Sequence, residues 1–320
     1  MANPITVTDL HKTYKAASKS VAAKHVLRGL SFTIDRPGVF TFLGHNGAGK
    51  TTLIKILSTL LSGDSGDANI CGFDVAKQPG HVREIIAMTG QYAAVDEQLT
   101  GRENIEFFGR LRGLRKADAA ARATELLEKF ELAHAGDQPV NSYSGGMRRR
   151  LDISVSLVTP PKVLFLDEPS TGLDPVSRNE LWALIRRLTD TGMTIILTTQ
   201  YLEEADALSD RIFVLKDGVV ALEGTPSELR HQLGDSVLRL RFDGAQAASA
   251  AHERLRELNV DARVSPENPS IVVVYARESM APEVILSQLA EAGRRPTEFS
   301  LAAPTLDEVF IQLNRAEAGQ

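Results

Sequence analysis

Val39-Phe40-Thr41-Phe42-Leu43-Gly44-His45-Asn46-Gly47-Ala48-Gly49-Lys50-Thr51 is the stretch on which the fold turns. Its first five residues form a short apolar run bounded by glycine, as in a parallel strand buried on both faces. The next eight fit G-x-x-x-x-G-K-[ST]. From Thr52 to Leu61, residues Leu53, Ile54, Ile56, Leu57, Leu60 and Leu61 lie on a helical stripe. Strand, glycine loop and helix in that order build a phosphate cradle. Glycines let successive backbone N–H groups point into one concavity, and the helix start adds partial positive charge. Lys50 would neutralise the outer phosphates of a nucleotide, and the Thr51 hydroxyl would ligate Mg2+. A glycine-rich turn is the bland alternative. Four fixed positions match by chance in on the order of one chain in a hundred of this size, and chance does not also supply the flanking strand and helix.

Downstream, Val163-Leu164-Phe165-Leu166 is a second buried-strand signal, and Asp167-Glu168 follows it. Asp167 would emerge at the C-terminal end of the strand, where open α/β sheets bind their ligands. There it would hold Mg2+, mostly through water, while Glu168 polarises the attacking water. An acidic pair after an apolar strand is ordinary by itself; with the glycine loop it supplies the second half of a nucleotide-hydrolysing site. Between the two, Tyr143-Ser144-Gly145-Gly146-Met147 opens a helix near Met147. Such a helix start binds anions through bare N–H groups. A plain N-cap would read the same, but it does not explain the position a short helix upstream of the acidic strand. The Arg148-Arg149-Arg150 run that follows is expected to be a solvated helix face, as most short charge runs are.

The remaining pattern frames these motifs. Ile5, Val7, Leu10, Val26, Leu30, Phe32 and Ile34 mark opening strands, and the residues from about Asp96 to Val140 look helical. Asp174-Pro175 starts a helix with Asp at N-cap and Pro at N1. Thr194–Thr199 is a strand, and Asp217-Gly218 turns a hairpin. Thr225 and Glu228 form a capping box. After about Asp235 the pattern becomes βαββαβ, a ferredoxin-like order, with a last helix at Thr305–Asn314.

The formal net charge of -5 argues against a diffuse basic surface for nucleic acid. One cysteine, Cys71, excludes an intramolecular disulfide and fits a reducing compartment. No run approaches the roughly 20 apolar residues of a membrane span, and Met1–Ile5 lacks signal-peptide features.

Taken in order, these motifs resemble the nucleotide-binding subunit of ABC transporters, and most of all the daunorubicin-resistance type of bacterial exporter ATPase. The resemblance runs through the first 230 or so residues and reaches the end in Thr305-Leu306-Asp307-Glu308-Val309-Phe310. It implies an α/β fold: a P-loop NTPase (RecA-like) core over 1–234, a helical subdomain inserted at about 92–160, and a small α+β domain over 235–320. Gly44–Thr51 resembles the Walker A loop. It implies that Gly44, Asn46, Gly47, Ala48, Gly49, Lys50, Thr51 and the adjoining Thr52 hold the phosphates of ATP. Val163–Glu168 resembles Walker B, and Tyr143–Met147 the ABC signature, with Tyr143 where leucine is usual. Tyr14 matches the aromatic residue that stacks on adenine, a contact of roughly 1–3 kcal/mol by analogy with base–aromatic stacking. Gln91 matches the Q-loop glutamine that touches Mg2+ or water and faces the membrane partner. Asp174 lies in a D-loop match, as helix cap and dimer contact, and Gln200 stands where most relatives carry a switch histidine.

The resemblance further implies a homodimer. Each ATP would lie between the phosphate loop of one copy and the Ser144, Gly145 and Gly146 of the other, driving a separate transmembrane permease that exports drugs or lipids. The chain would then sit on the cytoplasmic face of the membrane through that permease. An importer ATPase shares every motif. A soluble ABC ATPase acting on nucleic acid or the ribosome is disfavoured by the single cassette, the single cysteine and the lack of sustained heptads.

Overall fold

In the computed structural model, which describes residues 3–15, 23–90, 94–231, 236–265, 268–276, 281–302 and 305–306, the chain separates into two units, Met1–Glu223 and Gly224–Gln320. The division lies earlier than the expected 234/235. The helix Pro226–His231, with both hydrogen bonds of its Thr225–Glu228 capping box formed, belongs to the second unit.

The first unit contains two sheets. β1 (Ile5–Tyr14), β2 (Lys24–Ile34), β4 (Ser65–Ile70) and β5 (Phe73–Asp74) form an antiparallel sheet of order β2-β1-β4-β5. The second sheet uses β3 (Gly38–Leu43), β6 (Ile86–Thr89), β7 (Val163–Asp167), β8 (Thr194–Thr199), β9 (Arg211–Lys216) and β10 (Val219–Gly224), in the order β10-β9-β3-β8-β7-β6. Its central pairs, β9-β3, β3-β8, β8-β7 and β7-β6, are all parallel. Every residue of β3, β7 and β8 is buried, which is why their sequences are mostly apolar and lack the apolar–polar alternation of a half-exposed strand. Period-two alternation sends Val163 and Phe165 into one core and Leu164 and Leu166 into another. The first core lies with the antiparallel sheet, where Phe32, Phe42 and Phe213 have ring centroids 4.8–5.3 Å apart. Losing a ring such as Phe165 would cost about 3–5 kcal/mol.

Helices cover the parallel sheet. α1 (Lys50–Leu57) follows β3, and α2 (Pro79–Ile85) precedes β6. α1 stops short of the expected Leu61 because Thr59 adopts φ 64°, which leaves Leu60 exposed. The expected helical stretch resolves into α3 (Gly101–Leu111), α4 (Lys116–Lys129) and two 3-10 turns at Ala133–Ala135 and Val140–Ser142. Thr100 and Glu103 cap α3 reciprocally. α5 (Gly145–Ser156), α6 (Pro175–Thr189) and α7 (Leu202–Leu208) complete the layer.

The second unit opens with α8 (Pro226–His231) and continues as β11 (Ser236–Arg241), α9 (Ala245–Glu257), β12 (Ala262–Val264), β13 (Ile271–Ala276), α10 (Pro282–Glu291) and β14 (Glu298–Ala302). Its antiparallel order β12-β13-β11-β14 is the ferredoxin-like arrangement. Leu238, Leu240 and Phe242 alternate inward onto Ala248, Ala251, Leu255, Ile285 and Leu289 of the two helices. Of the helix expected at Thr305–Asn314, all but Thr305 and Leu306 lies outside the described residues.

Candidate functional site

β3 delivers the glycine loop to the C-terminal edge of the parallel sheet, where Gly44 donates its N–H to Thr199 O at 3.3 Å. Gly49 is the N-cap of α1 at φ 106°, and a Cβ there would stand 2.8 Å from Leu27 Cδ2 and 3.1 Å from Val26 O. Only glycine lets the loop close against β2 in this way. No side chain caps α1 and no acid occupies its first turn, so the positive end of the helix faces the loop unopposed. Lys50, 4% exposed, donates from Nζ to Gly44 O at 2.6 Å and His45 O at 3.2 Å. Burial pushes its pKa down, and the Glu168 and Asp167 carboxylates oppose that shift.

The acidic side comes from the end of β7, two strands from β3. Thr51 Oγ1 donates to Asp167 Oδ1 at 3.3 Å, and the Thr198 hydroxyl of β8 donates to the same oxygen. Glu168 Oε1 stands 3.7 Å from Lys50 Nζ. Glu168 adopts φ 47°, a left-handed conformation that costs a residue with a Cβ roughly 1–2 kcal/mol. Its N–H is held by Thr198 O at 3.0 Å and Thr198 Oγ1 at 3.2 Å. Adjacent strands therefore bend the chain so that the carboxylate meets the lysine. The neighbouring Thr51 hydroxyl and Asp167 carboxylate are hard oxygen donors, and they fit Mg2+, which keeps several waters and takes few protein ligands. No group of three or more His, Cys, Asp or Glu side chains among the described residues could hold a metal by itself.

Above the loop opens a cleft of about 360 Å³, lined by Tyr14, Lys24, Val26, Asn46, Gly47, Gly49, Lys50, Thr51, Thr52 and Glu168. The Tyr14 ring is 41% exposed, and its hydroxyl lies 3.4 Å from Thr52 Oγ1. Lys24 and Val26 were not anticipated. They reach the cleft because β2 pairs antiparallel with β1, Lys24 opposite Tyr14, and no contiguous motif encodes that register. Ala48 is buried beneath the loop.

Ser144, Gly145, Gly146, Asp174 and Gln200 do not line this cleft. Ser144 is the N-cap of α5 and accepts from Met147 N–H at 3.2 Å, so the helix begins at Gly145 rather than near Met147. A Cβ on Gly146 would fall 2.7 Å from Ser177 Oγ, so α5 and α6 pack too closely there for a side chain. Asp174 caps α6, accepting from Val176 N–H and Ser177 N–H at 3.0 Å and from Ser177 Oγ at 2.6 Å. These bonds, led by the one from the Ser177 side chain, hold its carboxyl below the usual range. Trp182 on α6 donates its Nε1–H to Glu204 of α7 at 3.1 Å, and Arg178 lies over the indole at 5.3 Å. Gln200 follows β8 directly, exposed and without a hydrogen bond among the described residues. Gln91 lies outside the described residues.

The arginine run is not the solvated face expected of it. Arg149 and Arg150 keep only 11% and 13% side-chain exposure. Arg150 lies near Glu131 and Glu180 at 3.5 and 3.6 Å, and Arg148 pairs with Glu97 at 2.9 Å. Acids on α6, on the turn after α4 and ahead of α3 draw the run inward, and the sequence does not place them beside it.

Comparison with known proteins agrees with this geometry. The ABC transporter family matches residues 27–171, and the family described as ATP-binding protein DrrA1-3-like, C-terminal domain, matches residues 224–313. The daunorubicin/doxorubicin resistance ATP-binding protein DrrA of Streptomyces peucetius is 48% identical over 89% of this chain and 86% of its own length. The doxorubicin resistance ATP-binding protein DrrA of Mycobacterium tuberculosis (strain CDC 1551 / Oshkosh) is 44% identical over 97% and 93%. Among solved structures, cbiO1 from Clostridium perfringens, part of the ABC transporter complex cbiONQ, is 26% identical and superposes with a TM-score of 0.65 over 81% of this chain and 98% of that one.

Proposed function

The chain belongs to the ABC transporter family, in its daunorubicin-resistance ATP-binding branch, and from that premise we propose that it works as the paired ATPase of an exporter whose permease is a separate polypeptide. It is an ABC-type ATPase. The observation that carries the site reading is the meeting of Lys50, Thr51, Asp167 and Glu168 at one edge of one sheet. Tyr14 stacks on the adenine across the mouth of the cleft. The loop N–H groups from Gly44 to Thr52 hold the phosphates, and Lys50 exchanges loop carbonyls for phosphate oxygens. Thr51 and Asp167 would hold Mg2+, with Gln91 the further ligand that the family resemblance implies, and the ion would supply charge neutralisation. Glu168 accepts a proton from the water whose oxygen attacks the γ-phosphorus, as the bond to the ADP oxygen breaks. Gln200 acts as a neutral γ-phosphate sensor, its amide able to donate to one oxygen and accept from water.

Ser144, Gly145 and Gly146 do not line this cleft, which fits their serving the ATP of a second copy, with Asp174 near that contact. No helix among the described residues is long and apolar enough to cross a membrane, consistent with attachment to the membrane through the permease. The names of the relatives, daunorubicin and doxorubicin resistance proteins, favour a drug as the cargo. Copurification with a multi-span membrane protein, and ATP hydrolysis by that complex stimulated by daunorubicin-like amphiphiles, is the expected result. A chain that copurifies with no membrane protein and hydrolyses ATP at full rate alone would overturn the exporter reading. Normal turnover in Lys50→Ala would overturn the reading of the site itself.

A further inference from the structure

Arg149 sits one turn inside the Ser144 cap of α5 and points into the protein. With Asp152, which is only 4% exposed, it forms an i,i+3 pair in which Nη1 donates to Oδ2 at 3.1 Å. Backbone groups from two other segments converge on the pair. Arg149 donates from Nη1 to Gly90 O at 3.0 Å, from Nε to Pro169 O at 3.0 Å and from Nη2 to Asp167 O at 3.4 Å. Asp152 Oδ1 accepts from Ala94 N–H at 2.9 Å.

The spacing of these partners is the telling feature. Asp167 and Pro169 are the two neighbours of Glu168, and Gly90 and Ala94 flank residues 91–93, which begin with Gln91. One side-chain pair on one helix therefore holds both flanks of the carboxylate segment and both flanks of the glutamine segment. A buried ion pair loses hydration that apolar side chains of similar volume would not, so filling space does not account for it. The planar guanidinium reaches three carbonyls and a carboxylate at once, which the point charge of a lysine cannot match.

We propose that Arg149 and Asp152 are positioning residues that tie the signature helix to Gly90, to Ala94 and to the Asp167–Pro169 turn, and so set Glu168 for hydrolysis. Neither side chain lines the nucleotide cleft. The pair acts through Glu168, and turnover depends on it while ATP binding does not. The proposal rests on the site reading above, in which Glu168 activates water.

The test uses the purified full chain with Mg2+, a ribose-labelled fluorescent ATP for affinity, and phosphate release for turnover. Arg149→Lys keeps the charge and loses the fork. It should lower kcat roughly 10- to 100-fold, as small misplacements of reacting groups do, with Kd for the labelled ATP within about three-fold of wild type. Arg149→Met/Asp152→Leu leaves no unpaired charge and guards against simple unfolding of the single variant. It should show the same split, with an intact thermal transition. A double variant that turns over within about three-fold of wild type overturns the proposal, as does a loss of kcat matched by an equal loss of ATP affinity in both variants. Lys50→Ala, run alongside, separates the two levels. If it hydrolyses ATP normally the site reading has failed, whereas silent Arg149 variants beside an inactive Lys50→Ala refute the clamp alone.

Discussion

Replacing Glu168 by Gln isolates its charge, because the amide keeps the shape and the backbone N–H still bonds Thr198. The Lys50–Glu168 pair is 3.7 Å apart, with side chains 4% and 13% exposed. At an effective dielectric near 20, unit charges at that separation attract by about 4 kcal/mol. That attraction competes with the phosphates for Lys50, so its removal should leave ATP affinity unchanged or tighten it by up to about ten-fold, a 1.4 kcal/mol effect. Hydrolysis moves the other way. Loss of a general base lowers turnover about 10²- to 10⁴-fold, a rise of about 3–5 kcal/mol in the barrier. A second signature appears at alkaline pH. Glu168 is the strongest influence keeping the proton on Lys50 against burial, so in Glu168→Gln that proton leaves at lower pH and the alkaline loss of ATP binding begins earlier. Single-turnover phosphate release, fluorescent-nucleotide titration across pH and sedimentation at saturating ATP measure these effects, with a closed dimer accumulating. Turnover within about three-fold of wild type, or affinity weakened more than about ten-fold, would refute the assignment of Glu168 as base.

Other substitutions probe the rest of the site. Gln200→Ala should cut turnover while nearly preserving ATP affinity, and steady-state kinetics with the permease present will show both values. Gly49→Ala puts a Cβ at φ 106°, so it should cost roughly 1–2 kcal/mol and lower the melting temperature by about 2–8 °C for a unit of this size, with weaker ATP binding in the same samples. Asp174 has a folded-state pKa below the ordinary aspartate value, held down first by the Ser177 hydroxyl. Its charge therefore stabilises the fold fully above that value, and the gain is lost as pH falls through the lowered one. The melting-temperature gap between wild type and Asp174→Asn should accordingly shrink in the same acid window. Truncation after Glu223 should leave ATP affinity within about three-fold of the full chain, since every residue lining the cleft lies before that point.

What the sequence discloses here is what its neighbours along the chain encode. β3, the glycine loop and α1 are one contiguous signal, as are β7 with Asp167-Glu168 and the Asp174-Pro175 cap, because each rests on burial or capping within a few residues. β4 escaped because Ser65-Gly66-Asp67-Ala68-Asn69-Ile70 carries no apolar alternation, and its strand character comes from pairing with β1. The start of α3 is written in Thr100-x-x-Glu103, a capping box within four residues. Lys24 joins the cleft only through antiparallel register, and Arg149 turns inward only because Gly90, Asp167 and Pro169 offer carbonyls from distant parts of the chain. Register and burial are properties of the folded sheet, so a local charge run looks the same whether it ends up wet or dry.

Trp182 is the sole tryptophan of the chain. Its indole is tied to Glu204 and covered by Arg178, so it stands where the helix begun by Asp174 meets the helix that follows Gln200. The protein thus carries an intrinsic optical label at that junction. Excited near the red edge, where tyrosine contributes little, its emission maximum and anisotropy follow the polarity and rigidity of that one spot. Rapid mixing with Mg-ATP would then time the movement of these two helices against phosphate release, with no dye attached and no residue changed.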